Sequence, residues 1–380
     1  MSRSDAPTGR IGAGGVLTID LDAIAANWKL LAGRLAVGTT CGAVVKADAY
    51  GLGLAPVARA LHAAGCRTFF VALSDEGLTL RGILPDAEIC VFNGVEAAYA
   101  RDMAAARLTP VLNHLGQIAD WSTAAGAEPL AAPLSAMLHV DTGMTRLGLS
   151  EAEVKTLAGD PGRLKGIRLT GIMSHLSCAD QPGHAMNGDQ RSRFDAVRAQ
   201  LAGLAAGRAS LANSSGMFLG ADYHYDLVRP GAALYGVAPQ PGSPNPMGQV
   251  VALKGKIVQT RRIDTPCSVG YGATHRAERG RLIATVAVGY ADGFLRSLSG
   301  AASAHVGQTI VRVVGRVSMD LITVDVTDVP EQDVRPGAFV DLIGPRHTID
   351  DAAREAGTIA YEILTAFGPR FARHYTGTGA

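Results

Sequence analysis

The 380-residue chain has little lysine. Only six of its 35 basic side chains are lysines (Lys29, Lys46, Lys155, Lys165, Lys254 and Lys256), and the rest are arginines. Cysteine is also sparse: Cys41, Cys66, Cys90, Cys178 and Cys267 are scattered, odd in number and without a C-x-x-C pair. That argues against a disulfide framework or a zinc site and suits a reducing cytosol. There is no charge excess either, with a formal net charge of +1 and 18% charged residues. Electrostatics therefore give no reason to expect nucleic acid or an anionic membrane as partner. No apolar run approaches the ~20 residues that a membrane-spanning helix requires. The opening MSRSDAPTGRIGAGG lacks an apolar core, so it reads as a flexible tail rather than a signal peptide. These absences lead us to expect a cytoplasmic, metal-free protein with no nucleic-acid or membrane partner.

What is present is ample apolar material, 47% of the chain, enough for two domains. Eight short apolar runs alternate with Ala-rich helical stretches: GAVVKA (42–47), TFFVAL (68–73), ICVFNG (89–94), LTPVLN (108–113), AMLHVD (136–141), LTGIMSHL (169–176), ASLANS (209–214) and LVRPGAALYG (227–236). Helical patterns such as PVARALHAAG and QRSRFDAVRAQLAGLAAG lie between them. Eight doubly buried strands separated by helices predict a (β/α)₈ barrel over 15–244. An open doubly wound sheet would carry a glycine fingerprint after the first strand, and none is there. After the Pro/Gly-rich APQPGSPNPMG (238–248) the runs become long and β-branched, which predicts a mainly β domain over 245–380. The early GVLTIDLD (15–22) precedes the barrel count and could pair with that second domain.

Barrel chemistry sits at the C-terminal strand ends. Lys46 ends run one, Asn113 run four, and Asp141 with Arg146 follows run five; His175 ends run six, Asn213 and Ser214 end run seven, and Arg229 lies in run eight. A lysine on an otherwise apolar strand is costly unless it is paired or neutralised. A desolvated lysine loses its proton and becomes a nucleophile, as arginine does not. An amine at a barrel mouth suggests a Schiff base, either with a carbonyl substrate, as in a class I aldolase, or with pyridoxal phosphate. The turn LANSSG, carrying Asn213, Ser214, Ser215 and Gly216, and the small residues of RPGAALYG can bring backbone N–H groups to a phosphate, which favours the second.

The ordered motifs VVKADAYGLG, HVDTGMTRLG, MSHLSCAD, ANSSG, VRPGAALYG, VGYGATHRA, VGYADG, GRVSMD and TIAYEI resemble those of alanine racemases, from about residue 40 to 365. VKADAYG alone would indicate only the wider barrel-type group of pyridoxal 5′-phosphate enzymes. The resemblance implies a barrel followed by a β domain, a head-to-tail homodimer with shared active sites, and alanine as substrate. It implies that Lys46 carries the cofactor as a Schiff base. Tyr50, Tyr361, Asn213, Ser214, Gly231 and Ala232 would surround the cofactor, with its phosphate among them. Arg229 would face the pyridine nitrogen, and His175 would link that arginine to the catalytic tyrosine. Arg146 would contact cofactor and substrate carboxylate. Tyr271, supplied by the partner, would be the second acid/base, and Tyr290, Met319 and Asp320 would line the substrate side. Asp180, Arg296 and Arg316 would belong to an outer channel. Many members have a carbamylated lysine seven residues before the arginine matching Arg146; here that residue is His139, so Arg146 must be anchored by an anion, a water or the imidazole itself.

These groups suit a racemase. Inverting an α-carbon takes one base on each face; the resemblance implies Lys46 for the D-side proton and Tyr271 for the L-side proton. The phenol needs nearby positive charge to act at neutral pH, which the arginines would provide. Arginine at the ring nitrogen donates and never accepts, so Arg229 would leave that nitrogen unprotonated and limit side reactions. A serine-preferring or broad-specificity racemase is the close alternative, and a non-catalytic pyridoxal-phosphate carrier a more distant one.

Overall fold

A computed structural model describes residues 12–126, 132–204 and 207–378. The expected N-terminal tail lies mostly outside the described residues, as do positions 205 and 206 of QRSRFDAVRAQLAGLAAG.

The strands β1 (Gly15–Asp20), β2 (Thr40–Cys41), β3 (Ala43–Val44), β4 (Thr68–Val71), β5 (Glu88–Val91), β6 (Thr109–Leu112), β7 (Leu134–His139), β8 (Ile167–Met173), β9 (Arg208–Ser210) and β10 (Leu227–Val228) occupy the first part of the chain. From β3 to β9 each strand pairs in parallel with the next. Strand β10 pairs with β2, Gly42 N donates to Val228 O (3.0 Å), and Val44 N to Pro230 O (2.9 Å). On its other side Asp226 N donates to Ala209 O and Arg229 N to Ala212 O, both at 3.0 Å, so the sheet closes into a barrel. All residues of β4 and of β6 are buried, as strands covered on both faces must be. The helices form as the pattern predicts. All of PVARALHAAG but its last residue lies within the helix Leu54–Ala64, which ends on that residue, Gly65, in the left-handed conformation that glycine favours.

Strands β11 (Val251–Arg262), β12 (Cys267–Val269), β13 (His275–Ala277), β14 (Leu282–Val286), β15 (Ser303–Val306), β16 (Thr309–Val314), β17 (Ile322–Asp325), β18 (Phe339–Ile343) and β19 (Ala372–Thr376) follow. A mostly antiparallel sheet runs β14-β17-β16-β15-β18-β11-β1-β19, and the long β11 also returns to β14. Strand β1 therefore joins this second sheet, between β11 and β19. The Pro/Gly-rich connection is held down rather than loose: Ala238 N donates to Asp350 Oδ2 (3.0 Å), and Gly248 N donates to Asn27 Oδ1 (2.7 Å). The last helical stretch splits into Ile349–Ala356 and Ala360–Ala366 at Gly357, whose φ of 69° ends the first helix.

Candidate active site

Lys46 follows the end of β3, where the chain takes an uncommon path. Ala47, Asp48, Ala49 and Tyr50 have φ of 53°, 54°, 54° and 56°, a left-handed turn built without glycine. Such a turn costs roughly 1–2 kcal/mol per residue, so it needs support from its surroundings. Glu76 provides part of it: Oε1 accepts from Ala47 N (2.6 Å), and Oε2 accepts from Ala72 N (2.8 Å) and Leu73 N (3.1 Å). Asp48 Oδ1 accepts from Leu54 N (2.6 Å) and closes the turn from the other side. The amine of Lys46 lies 5.9 Å from the centre of the Phe92 ring. Burial and the Arg146 charge pull its pKa below the ordinary lysine value, against an upward pull from Glu76.

Arg229 stands on the same mouth, buried to 2% exposure. Its Nη1 donates to Ser210 Oγ, and its Nη2 donates to Ser174 O (2.7 Å) and lies 3.4 Å from His175 Nδ1. It has no carboxylate partner among the described residues, and its buried Nε has no hydrogen-bond partner there. Burial pulls the guanidinium pKa down to about 9, which still leaves it cationic at neutral pH. Burial and the neighbouring Arg229 and Arg146 charges hold His175 well below the ordinary imidazole range.

The strand end after β9 supplies Ser214, whose Oγ accepts from Gly231 N (2.9 Å) and Ala233 N (3.2 Å). Gly231 has a specific packing reason to be glycine: a Cβ there would fall 2.3 Å from Tyr50 Oη. Asn213 Oδ1 accepts from Gly216 N (2.9 Å), which shapes this turn. Burial pushes the phenols of Tyr50 and Tyr361 upward, and their rings lie 6.1 Å apart.

His139, at the end of β7, is fixed by a chain of buried amides. Asn113 Nδ2 donates to Phe92 O (3.0 Å) and Val111 O (2.8 Å), so its Oδ1 is the acceptor facing His139 Nδ1 at 2.8 Å. The proton therefore sits on Nδ1. Burial and the Arg229 charge lower the imidazole to about 4. Asp141 Oδ1 accepts from Gly143, Met144 and Thr145 N, which shapes the loop that carries Arg146.

All ten residues expected around the cofactor (Lys46, Tyr50, Arg146, His175, Asn213, Ser214, Arg229, Gly231, Ala232 and Tyr361) line one cavity of about 780 Å³. His139 lines it too. The four expected on the substrate side do not. Tyr271 is 73% exposed and Met319 54% exposed, on the second domain. Tyr290 and Met319 are neighbours, since Ala291 N donates to Met319 O (3.0 Å), while Asp320 pairs with Arg370 at 2.7 Å. Arg316 lies beside Tyr271, its Nη1 3.0 Å from where a Cβ on Gly272 would be. Asp180 borders an adjoining cavity of about 710 Å³ that shares Asn213 and Tyr361, and Arg296 is exposed. A wider cleft of about 900 Å³ opens at the opposite, N-terminal pole of the barrel, where Arg208 is paired with Glu88 and Arg81 is spent on backbone carbonyls. Catalytic groups of barrels gather at the other pole, where Lys46 is. Glu76 is the site residue that sequence reasoning missed. An acidic residue in the first turn of a helix looks like any N-terminal cap.

Fold and site together define an enzyme-type barrel whose mouth offers an amine, an N–H-lined turn and a buried cation, with a β domain behind it. The chain belongs to the alanine racemase family: it matches the family's N-terminal domain over residues 19–239 and its C-terminal domain over 250–375. It is 53% identical to an alanine racemase of Rhodospirillum rubrum, covering 95% of this chain and 96% of that one. It is 47% identical to a catabolic alanine racemase of Mesorhizobium japonicum, covering 98% and 96%. The crystal structure of alanine racemase from Bartonella henselae with covalently bound pyridoxal phosphate superposes with a TM-score of 0.90 at 39% identity, covering 96% of this chain and all of that one.

Proposed function

We propose that this chain is a cytoplasmic alanine racemase that uses pyridoxal 5′-phosphate to interconvert L- and D-alanine, acts as a homodimer, and supplies D-alanine for peptidoglycan. The observation that carries the reading is one cavity holding the Lys46 amine and a buried Arg229 with no carboxylate beside it. The residues fit the cofactor. Arg229 Nε is a buried donor without a partner, and Gly231 leaves open the space that a Cβ would take from Tyr50. Lys46 would hold the cofactor's aldehyde carbon. Ser214, the backbone of Gly231 and Ala232, Tyr50 and Tyr361 would hold its phosphate, with Asn213 shaping the turn. Arg229 would face its ring nitrogen, donating and never accepting a proton there.

When bound, the cofactor draws electrons from the substrate α-carbon so that its proton becomes removable. Lys46 would then move that proton on one face and Tyr271 of the partner subunit on the other. The exposure of Tyr271, Tyr290 and Met319, none of which lines the cavity of its own chain, supports a site completed by a second copy. Arg146 would bind the substrate carboxylate, its charge placed by the loop that Asp141 shapes. His175, kept neutral, passes hydrogen-bond order from Arg229 towards the site. Five free cysteines, three of them buried, support a reducing compartment.

The relatives named as catabolic favour a second physiological reading, in which the enzyme feeds D-alanine into breakdown. Incubating purified protein with a panel of L- and D-amino acids, followed by chiral analysis, tests the activity. Alanine is expected to reach a racemic mixture from either side and serine to react more slowly; serine in first place would replace the alanine assignment. Deleting the gene tests the role, with D-alanine auxotrophy expected for peptidoglycan supply and normal growth for a catabolic enzyme.

A further inference from the structure

Glu76 comes from the helix after β4, yet its carboxylate spans two strand ends. One oxygen accepts from the residue immediately after Lys46, and the other accepts from Ala72 and Leu73 at the end of the neighbouring strand. Four consecutive non-glycine residues in the left-handed region follow Lys46, a conformation that unfolds unless it is tied down. Of the ties to side chains, Asp48 holds the far end and Glu76 the end next to the lysine. The same carboxylate also brings negative charge to a mouth that is otherwise cationic near the amine. Arg146 reaches it from the loop after β7 and Arg229 lines the same cavity, together with the neutral imidazoles of His175, at the end of β8, and His139. Glu362, at the rim, is engaged by the Thr358 hydroxyl.

We propose that Glu76 is a positioning residue for Lys46: its carboxylate ties the Ala47 amide to the end of the neighbouring strand and so holds the left-handed turn that aims the amine. The inference rests on Lys46 being the lysine that takes the cofactor. The electrostatic sign is fixed. The Glu76 charge acts on the amine through space and favours its charged form, so removing that charge leaves more free amine at the same pH.

The test uses apoprotein, pyridoxal phosphate and borohydride trapping, with the labelled peptide located by mass spectrometry and the capture rate followed against pH. In the wild type the label is expected on Lys46; a label elsewhere overturns the reading of Lys46 and this inference with it. For Glu76→Gln, the midpoint of the capture profile is expected to fall, so that more of the amine is neutral and capture is faster at a given pH below the midpoint. A midpoint equal to that of the wild type overturns the proposal, since a purely structural carboxylate would slow capture without moving its pH dependence. If Glu76→Gln fails to fold, Glu76→Asp carries the test. It keeps the charge but is too short to reach Ala47 N, so the Ala47 amide is expected to lose hydrogen-exchange protection while the midpoint stays near the wild-type value. Unchanged protection at Ala47 overturns the proposal.

Discussion

Arg229 Nη2 stands 3.4 Å from His175 Nδ1, inside the cavity that also holds the Lys46 amine. A guanidinium has only protons to offer, so Nδ1 must present its lone pair and the imidazole proton must sit on Nε2. Burial, and then the neighbouring positive charges, keep the ring neutral. Two guanidiniums, those of Arg146 and Arg229, and the neutral imidazoles of His139 and His175 thus share one mouth with the amine, and their consequences can be measured.

Lys46→Ala is expected to remove covalent capture of pyridoxal phosphate and all racemisation. Tyr271→Phe is expected to lower kcat in both directions by ~10²–10⁴-fold, the range for losing a positioned acid/base group. Because Tyr271 is exposed in its own chain, capture of the cofactor and monomer stability should be unchanged. Steady-state rates from each alanine enantiomer and the visible absorbance of the bound cofactor check both.

Arg229→Met should destabilise the apoprotein. It removes the donor from Ser174 O and Ser210 Oγ, buried acceptors whose loss of a partner costs about 1–3 kcal/mol each. Urea unfolding with an unchanged slope and a lower midpoint is the expected outcome. Arg229→Lys should recover only part of the loss, because a single ammonium cannot reproduce the fork.

His139 links stability to acid. Its folded-state value of about 4 lies below the unfolded 6.5, so the unfolded chain binds the proton first as pH falls. Its contribution is complete above pH 6.5 and is lost as pH drops towards 4, by about 3 kcal/mol in total. His175 acts in the same direction. Urea midpoints between pH 7 and 4 should fall, and less steeply in His139→Gln.

Gly231→Ala is expected to weaken cofactor binding by about tenfold or more. The added methyl meets Tyr50 Oη at 2.3 Å, and that ring is buried and cannot swing clear. Titration of apoprotein with pyridoxal phosphate measures it, and Gly231→Ala combined with Tyr50→Phe should bind more tightly than Gly231→Ala alone.

Much of this was readable from the chain because barrel strands are covered on both faces and so appear as uninterrupted apolar runs. TFFVAL and LTPVLN each contain a fully buried strand. A lysine closing such a run stands out, and Lys46 led to the site. The left-handed turn after it did not show, since Ala47 to Tyr50 contain no glycine and the conformation is imposed by Glu76 and Asp48 through space. The position of β1 was ambiguous because an alternating strand can pair with any exposed edge; only the register with Val251–Gly255 and with β19 assigns it to the second sheet. Asp320, which the resemblance puts on the substrate side, pairs with Arg370 in its own chain, a contact across fifty residues of sequence that no local pattern announces.

The central claim is that one site draws Lys46 from one chain and Tyr271 from another. Mixing Lys46→Ala with Tyr271→Phe after unfolding and refolding them together tests it most directly. In a mixed twofold dimer one site carries both lesions and the other carries neither, so random pairing should restore up to about a quarter of wild-type activity. Activity no greater than the sum of the two inactive variants, with mixed dimers demonstrably formed, would contradict it.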